Sequence, residues 1–203
     1  MIALHAHAPY AGPATRVEPA PGCELCLSPL GAHHDHVVEV GVRGVLCVCR
    51  PCAILFSRSA AQFRTVPERV VVDRRFALTP VAWTALGLQV GLAFCVCDST
   101  TGCDAICYPG PAGIVATDID PATWRALAAA TPLAAECEPD VEALLIHGET
   151  GAPRLSCYLV PITCAYELAA RLLGSRCGSL GAAAADGELA AFFAELELRG
   201  GMR

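Results

Sequence analysis

Two cysteine pairs, Cys23-Glu24-Leu25-Cys26 and Cys49-Arg50-Pro51-Cys52, carry the most legible chemistry in this chain. A C-x-x-C pair sets two sulfurs on one tight backbone turn, where both reach the same ion. A second pair about twenty residues on completes a tetrahedral cage of four thiolates, the closed pattern of structural zinc. The same four ligands would hold iron in a rubredoxin-like site, whose knuckles usually carry glycine directly after the second cysteine. Leu27 and Ala53 stand at those places here, which favours zinc. Cys47 is a spare thiol two residues before Cys49; it could replace Cys49 as a ligand or pack inward from its strand.

Other chemistry-bearing groups give weaker patterns. His33-His34-Asp35-His36 lies between the two pairs and reads as an exposed polar turn. An Asp-His pair near a cysteine knuckle resembles the HNH nucleases. The histidine expected after the second knuckle is missing, however, and the chain has no asparagine to assist one. Cys95, Cys97, Cys103 and Cys107 fall on the two arms of an expected hairpin, where small apolar packing explains them better than a second metal site. Glu136, Glu138, Asp140 and Glu142 read as a solvated charge run, and His147 as a structural histidine at a strand end. No nucleophile elbow or catalytic constellation emerges, so a non-enzymatic protein is expected.

Composition narrows the classes further. The chain has 203 residues, 54% hydrophobic and 17% charged, enough for a core and for a small metal module beside it. A net charge of −6 argues against a nucleic-acid surface, which needs a basic stripe. All fourteen basic residues are arginine, so Schiff-base chemistry and a P-loop clamp are excluded. Thirteen cysteines without a readable export signal point to the reducing cytoplasm, and no apolar run is long enough to span a bilayer.

The expected class is α+β. A four-cysteine zinc-ribbon or treble-clef-like knuckle module would pack on a mixed, mostly antiparallel sheet with helices. Residues 1–21, rich in proline and glycine without periodicity, are expected to be a disordered arm. Residues 22–58 form the zinc-binding module, with strands at 37–40 and 42–48 and a helix opening at Pro51. Residues 59–203 form the α+β domain. Its expected strands are 69–73, 90–97, 105–108, 141–147 and 155–160. Thr79-Pro80 and Asp120-Pro121 each place a capping side chain before proline, the signature of a helix start. Two further helices are expected, one over 162–173 closed by Gly174 and one over 188–198.

The order of segments adds a resemblance. After the cysteine pairs come Val90-Gly91-Leu92-Ala93-Phe94 and Tyr108-Pro109-Gly110-Pro111-Ala112-Gly113. Glu138-Pro139-Asp140-Val141, Tyr158-Leu159-Val160-Pro161-Ile162 and Phe192-Phe193 follow. Together they resemble an uncharacterised protein family encoded beside actinobacterial-type, high-affinity nickel–iron hydrogenases. The resemblance implies an accessory role in assembly or maturation, with a hydrogenase subunit or maturation factor as partner. It also implies a metal site drawn from Cys23, Cys26, Cys47, Cys49 and Cys52. The alternative from another class is a redox or metal carrier with iron in the four-cysteine site.

Overall fold

The computed structural model describes residues 22–42, 44–56, 62–78, 92–100, 103–110, 113–148, 155–177 and 182–202. The expected arm at 1–21 and the helix expected from Thr79 lie outside these residues.

Two valine-rich runs on either side of Gly41 build the first hairpin. Strand β1 (Asp35–Glu39) pairs antiparallel with β2 (Gly44–Val48), and Gly41 supplies the positive φ of 86° between them. Helix α1 (Arg50–Phe56) follows, with Pro51 in its first turn as expected. A third strand, β3 (Phe63–Thr65), lines the other edge of β1, giving the order β2-β1-β3 among the described residues. This strand is not among those expected from the sequence. A three-residue strand has too few positions to show alternation, and this one is held by pairing with β1. One face of β1 sends Val37 into a small core with Cys23, Leu30, Val48, Cys52 and Ala53. The other face sends Val38 into the larger core beside Val66 and Val70, so the hairpin is packed on the rest of the molecule.

That larger core surrounds a second sheet. Its strands are β4 (Val71–Asp73), β5 (Leu92–Asp98), β6 (Cys103–Gly110), β7 (Gly113–Asp118), β8 (Glu142–Gly148), β9 (Leu155–Pro161) and β10 (Gly201–Met202). They run β10-β4-β9-β8-β5-β6-β7, antiparallel except for the β10–β4 pair. Four helices accompany the sheet among the described residues: α2 (Pro121–Ala130), α3 (Leu133–Glu136), α4 (Ile162–Cys177) and α5 (Ala182–Arg199).

Both faces of the sheet are covered. Ala143 and Leu145 of β8 meet Ala165, Leu168, Phe192 and Leu196 from α4 and α5. Leu144 and Ile146, pointing the other way, meet Leu127 and Leu133 from α2 and α3. Covering both sides explains why β8 and β9 read as continuous apolar runs rather than alternating ones.

Helix α2 starts as its sequence signal requires: Asp120 accepts from the N–H groups of Ala122 at 3.0 Å and Thr123 at 3.1 Å, and Pro121 follows. Two helix ends differ from expectation. Helix α4 runs through Gly174 to Cys177, and α5 begins at Ala182, using the alanine run as helix. Alanine is the strongest helix former, and a glycine costs only about 1 kcal/mol, which tertiary packing overrides. At the end of α5, Gly200 donates its N–H to Leu196 O at 2.8 Å. A Cβ there would meet Val72 at 2.7 Å, so glycine lets the chain drop against β4 and form β10.

Candidate metal centre

The first cysteine pair sits on a closed turn. Cys23 donates its N–H to Ser28 O at 2.7 Å, Leu27 donates to Cys23 O at 2.8 Å, and Gly22 and Pro29 form a bridge. Closing the turn puts Leu27 at φ 64°, the left-handed region where an L side chain costs about 1–2 kcal/mol. Its side chain is 84% exposed, so burial returns almost nothing. The left-handed residue after the second cysteine is therefore present as leucine. The second pair is different: Cys49 precedes α1, Cys52 lies in its first turn, and Ala53 donates to Cys49 O at 3.0 Å. Knuckle, hairpin and helix follow one another in the treble-clef manner.

Glu24 straps the knuckle along β2. Its N–H donates to Cys47 O at 2.9 Å, and its carboxylate accepts from the Cys47 N–H at 2.5 Å. The strap brings the two pairs face to face. The sulfurs of Cys23, Cys26, Cys49 and Cys52 all lie within 4.8 Å of one another, and Cys26 and Cys49 are 3.6 Å apart. Metal–sulfur bonds of about 2.3 Å at tetrahedral angles require sulfurs about 3.8 Å apart. A disulfide would need about 2.05 Å. The cluster has the spacing of a four-thiolate metal site.

Its electrostatics suit a cation. Burial pushes the Cys23 thiol up, but N–H groups of Cys49, Cys26 and Leu25 outweigh it and bring the pKa down to about 6. Cys26 is lowered by the Ser28 hydroxyl, 3.3 Å from its sulfur. Cys49 is raised, the favourable Cys52 N–H being outweighed by burial and the Cys26 sulfur. Cys52 is pushed up to about 12, by burial and then by its three neighbouring sulfurs. Thiolates crowd one another unless a positive ion lies among them.

The profile of a family of unknown function, DUF5947, matches residues 22–200, from the knuckle to the end of α5. The chain belongs to DUF5947. Neither a curated protein nor a solved structure matches it. In this DUF5947 protein the match takes in the knuckle, the hairpin and both faces of the large sheet.

Cys47 does not join the four sulfurs; it groups with His34 and His36. The histidines are not an exposed turn. Only His33 is exposed, while His36 lies within β1 and His34 is half-buried beside it. Their rings are 4.8 Å apart, and burial, then the neighbouring His34, lowers the His36 pKa. The sequence did contain a signal: three histidines lie within four residues, and a hairpin brings His36 opposite the spare thiol of Cys47.

Of the remaining candidates, Cys95, Cys107 and His147 pack against apolar neighbours. Cys95 and Cys107 are buried on opposite faces of the large sheet, Cys95 in the α2 and α3 side and Cys107 in the α4 and α5 side. They cannot ligate one ion. Cys97 is partly exposed two residues along from Cys95, and Cys103 pairs with Asp98 across the hairpin. His147 stacks on Phe193 with ring centroids 4.0 Å apart.

The acidic run is solvated only in part: Glu138 is exposed, but Asp140 and Glu142 are not. Glu142 is fully buried and takes a two-pronged ion pair from Arg69, at 2.6 and 2.7 Å. Asp140, at φ 67°, accepts from the Ser99 N–H at 2.9 Å and from Arg64 of β3 at 3.3 Å. Arg64 thus ties the smaller sheet to the larger one. Charge alone hid these contacts, because the two arginines lie more than seventy residues earlier in the chain.

Proposed function

We propose that this protein is a zinc-binding, non-enzymatic accessory protein. It acts in the cytoplasm through contacts with a nickel–iron hydrogenase subunit or maturation factor. The observation that carries the metal half is the convergence of four sulfurs with 3.6 Å between Cys26 and Cys49. Zinc is favoured over iron because only one pair lies on a left-handed knuckle; the other lies at the start of α1. The role of the ion is structural. The core around Val37 and Val48 is small, and two cage cysteines belong to it, so the module depends on the metal for folding.

The partner half rests on the segment resemblance, from the cysteine pairs through Tyr108-Pro109-Gly110-Pro111 to Phe192-Phe193. The absence of turnover is supported by the occupations of the acidic residues and His147. Glu142 is engaged by Arg69, Asp140 by Ser99 and Arg64, and His147 by Phe193. Thirteen cysteines suit a reducing compartment. Among the described residues no helix is long and apolar enough to cross a membrane.

Elemental analysis of the purified full chain tests the metal, and Cys23→Ser should abolish the cage equivalent. Deletion of the gene should lower hydrogenase assembly while growth on organic substrates stays normal, and affinity purification should recover a hydrogenase or maturation protein. Fully active hydrogenase in the deletion strain, with no such protein recovered, rejects the accessory role. Iron in the same cage, in a redox or metal carrier, is the second reading, since the left-handed turn at Leu27 would serve a rubredoxin-like knuckle as well. A coloured, redox-active protein would establish it; a colourless zinc protein would eliminate it.

A further inference from the structure

We propose that the β1–β2 hairpin carries a second metal site, separate from the four-cysteine cage and built from His34, His36 and Cys47. It is suited to an exchangeable divalent ion of the zinc class. The hairpin register creates it. His36 stands directly opposite Cys47, and residues so paired project from the same face with Cβ atoms about 5 Å apart. His34 lies one residue before β1, with its ring centroid 4.8 Å from that of His36. One ligand atom from each of the three lies within 4.8 Å of the others. Bond lengths of about 2.0–2.3 Å need ligand atoms roughly 3.3–3.8 Å apart, a contraction that side-chain rotation supplies.

His34 gives the site its independent mark. Its Nδ1 is 3.0 Å from the Gly31 carbonyl, which can only accept, so Nδ1 carries a proton and, in the neutral ring, Nε2 bears the lone pair. That Nε2 is buried and has no hydrogen-bond partner. Buried polar atoms are ordinarily satisfied, and a metal bond would satisfy this one. A ligating histidine whose other ring nitrogen donates to a backbone carbonyl is the usual supporting arrangement. The Glu24 carboxylate, held on the Cys47 N–H, adds negative charge beside the site.

Two imidazoles and one thiolate select borderline-soft ions such as zinc, nickel, cobalt or copper. Binding transfers the Cys47 thiol proton to solvent and forms the metal–sulfur bond, with no change of oxidation state. Three protein ligands leave a fourth position for water or an incoming ligand, in contrast to the closed cage. The second ion should therefore exchange more readily than the first.

Zinc titration of the purified full chain, with metal counted after gel filtration and against a competing chelator, tests the site. Wild type should hold two equivalents, of which the chelator removes one. His34→Gln and Cys47→Ser should each lack that weaker equivalent and keep the resistant one, whose retention shows the module is folded. If Cys47→Ser loses both, His34→Gln decides, because it lies before β1 and leaves the hairpin ladder intact. Loss of the weaker equivalent there supports the site. The proposal is overturned if no metal equivalent depends on His34 and Cys47. Failure of the cage reading looks different: the only equivalent bound would then survive Cys23→Ser and vanish in His34→Gln.

Discussion

Replacing either partner of the Arg69–Glu142 pair should reveal unequal costs. Glu142 is fully buried at the start of β8, while the Arg69 side chain is 41% exposed at the edge of the same contact. The carboxylate also accepts the Glu138 N–H at 2.9 Å, and Arg69 donates to Glu136 O at 2.8 Å. In Arg69→Ala the carboxylate stays buried with one backbone donor in place of three, and stranding a buried charge costs about 3–5 kcal/mol. In Glu142→Gln the orphaned guanidinium turns to water, so the loss is that of buried hydrogen bonds, about 1–3 kcal/mol. The double variant should be more stable than Arg69→Ala alone, because the second change removes the stranded charge. For a chain of this size about 3–5 kcal/mol lowers Tm by roughly 10 °C. Urea unfolding of the three variants, with metal content held equal, gives the comparison. An Arg69→Ala cost equal to or below that of Glu142→Gln would refute the assignment of the burial penalty to the carboxylate.

Three further outcomes follow, two from single positions and one from a pair. Leu27→Gly should stabilise the protein by about 0.5–1 kcal/mol, the left-handed strain being relieved and partly offset by the freer unfolded chain; a lower Tm would show that Leu27 makes a stabilising contact despite its exposure. Asp120→Ala should lower Tm at neutral pH, since the Thr123 hydroxyl first, then the Thr123 and Ala122 N–H groups, hold this carboxylate below its usual range. A depressed folded pKa means that the cap's contribution is complete above the unfolded value and fades as pH falls through the folded one, so wild type and variant should converge in acid. Replacing Cys95 and Cys97 together with valine should leave metal stoichiometry unchanged and cost less than about 1.5 kcal/mol, as volume-conserving changes do. Loss of a metal equivalent in that variant would show that the large sheet also binds an ion.

Legibility in this sequence tracks how local the determining physics is. Asp120-Pro121 announced α2 because a cap and its proline act within four residues, and the valine-rich runs on either side of Gly41 announced a hairpin. The spacing of Cys23, Cys26, Cys49 and Cys52 was equally plain, each pair being a local turn. Strands at the sheet edges escaped. All that is described of β7 is exposed, so burial imposes no alternation on it, and β10 is two residues held against β4 by a glycine. The burial of Glu142 is hidden in the sequence for a related reason: a glutamate is buried or solvated according to whether an arginine meets it, and Arg69 reaches Glu142 only after the sheet has formed.

The same principle separates the two candidate metal sites. The four-cysteine cage is assembled from two local motifs, and the Glu24 strap on Cys47 only has to bring them together. The His34, His36 and Cys47 cluster exists only in one register of β1 on β2, because a shift of a single residue would turn His36 and Cys47 to opposite faces. Val37 and Val38 hold that register by entering different cores, one with the cage cysteines and one with the large domain. A slip would expose both valines' partners at once. Packing on the large domain is therefore what gives the hairpin histidines a defined geometry, while the cage depends mainly on its own turn and helix.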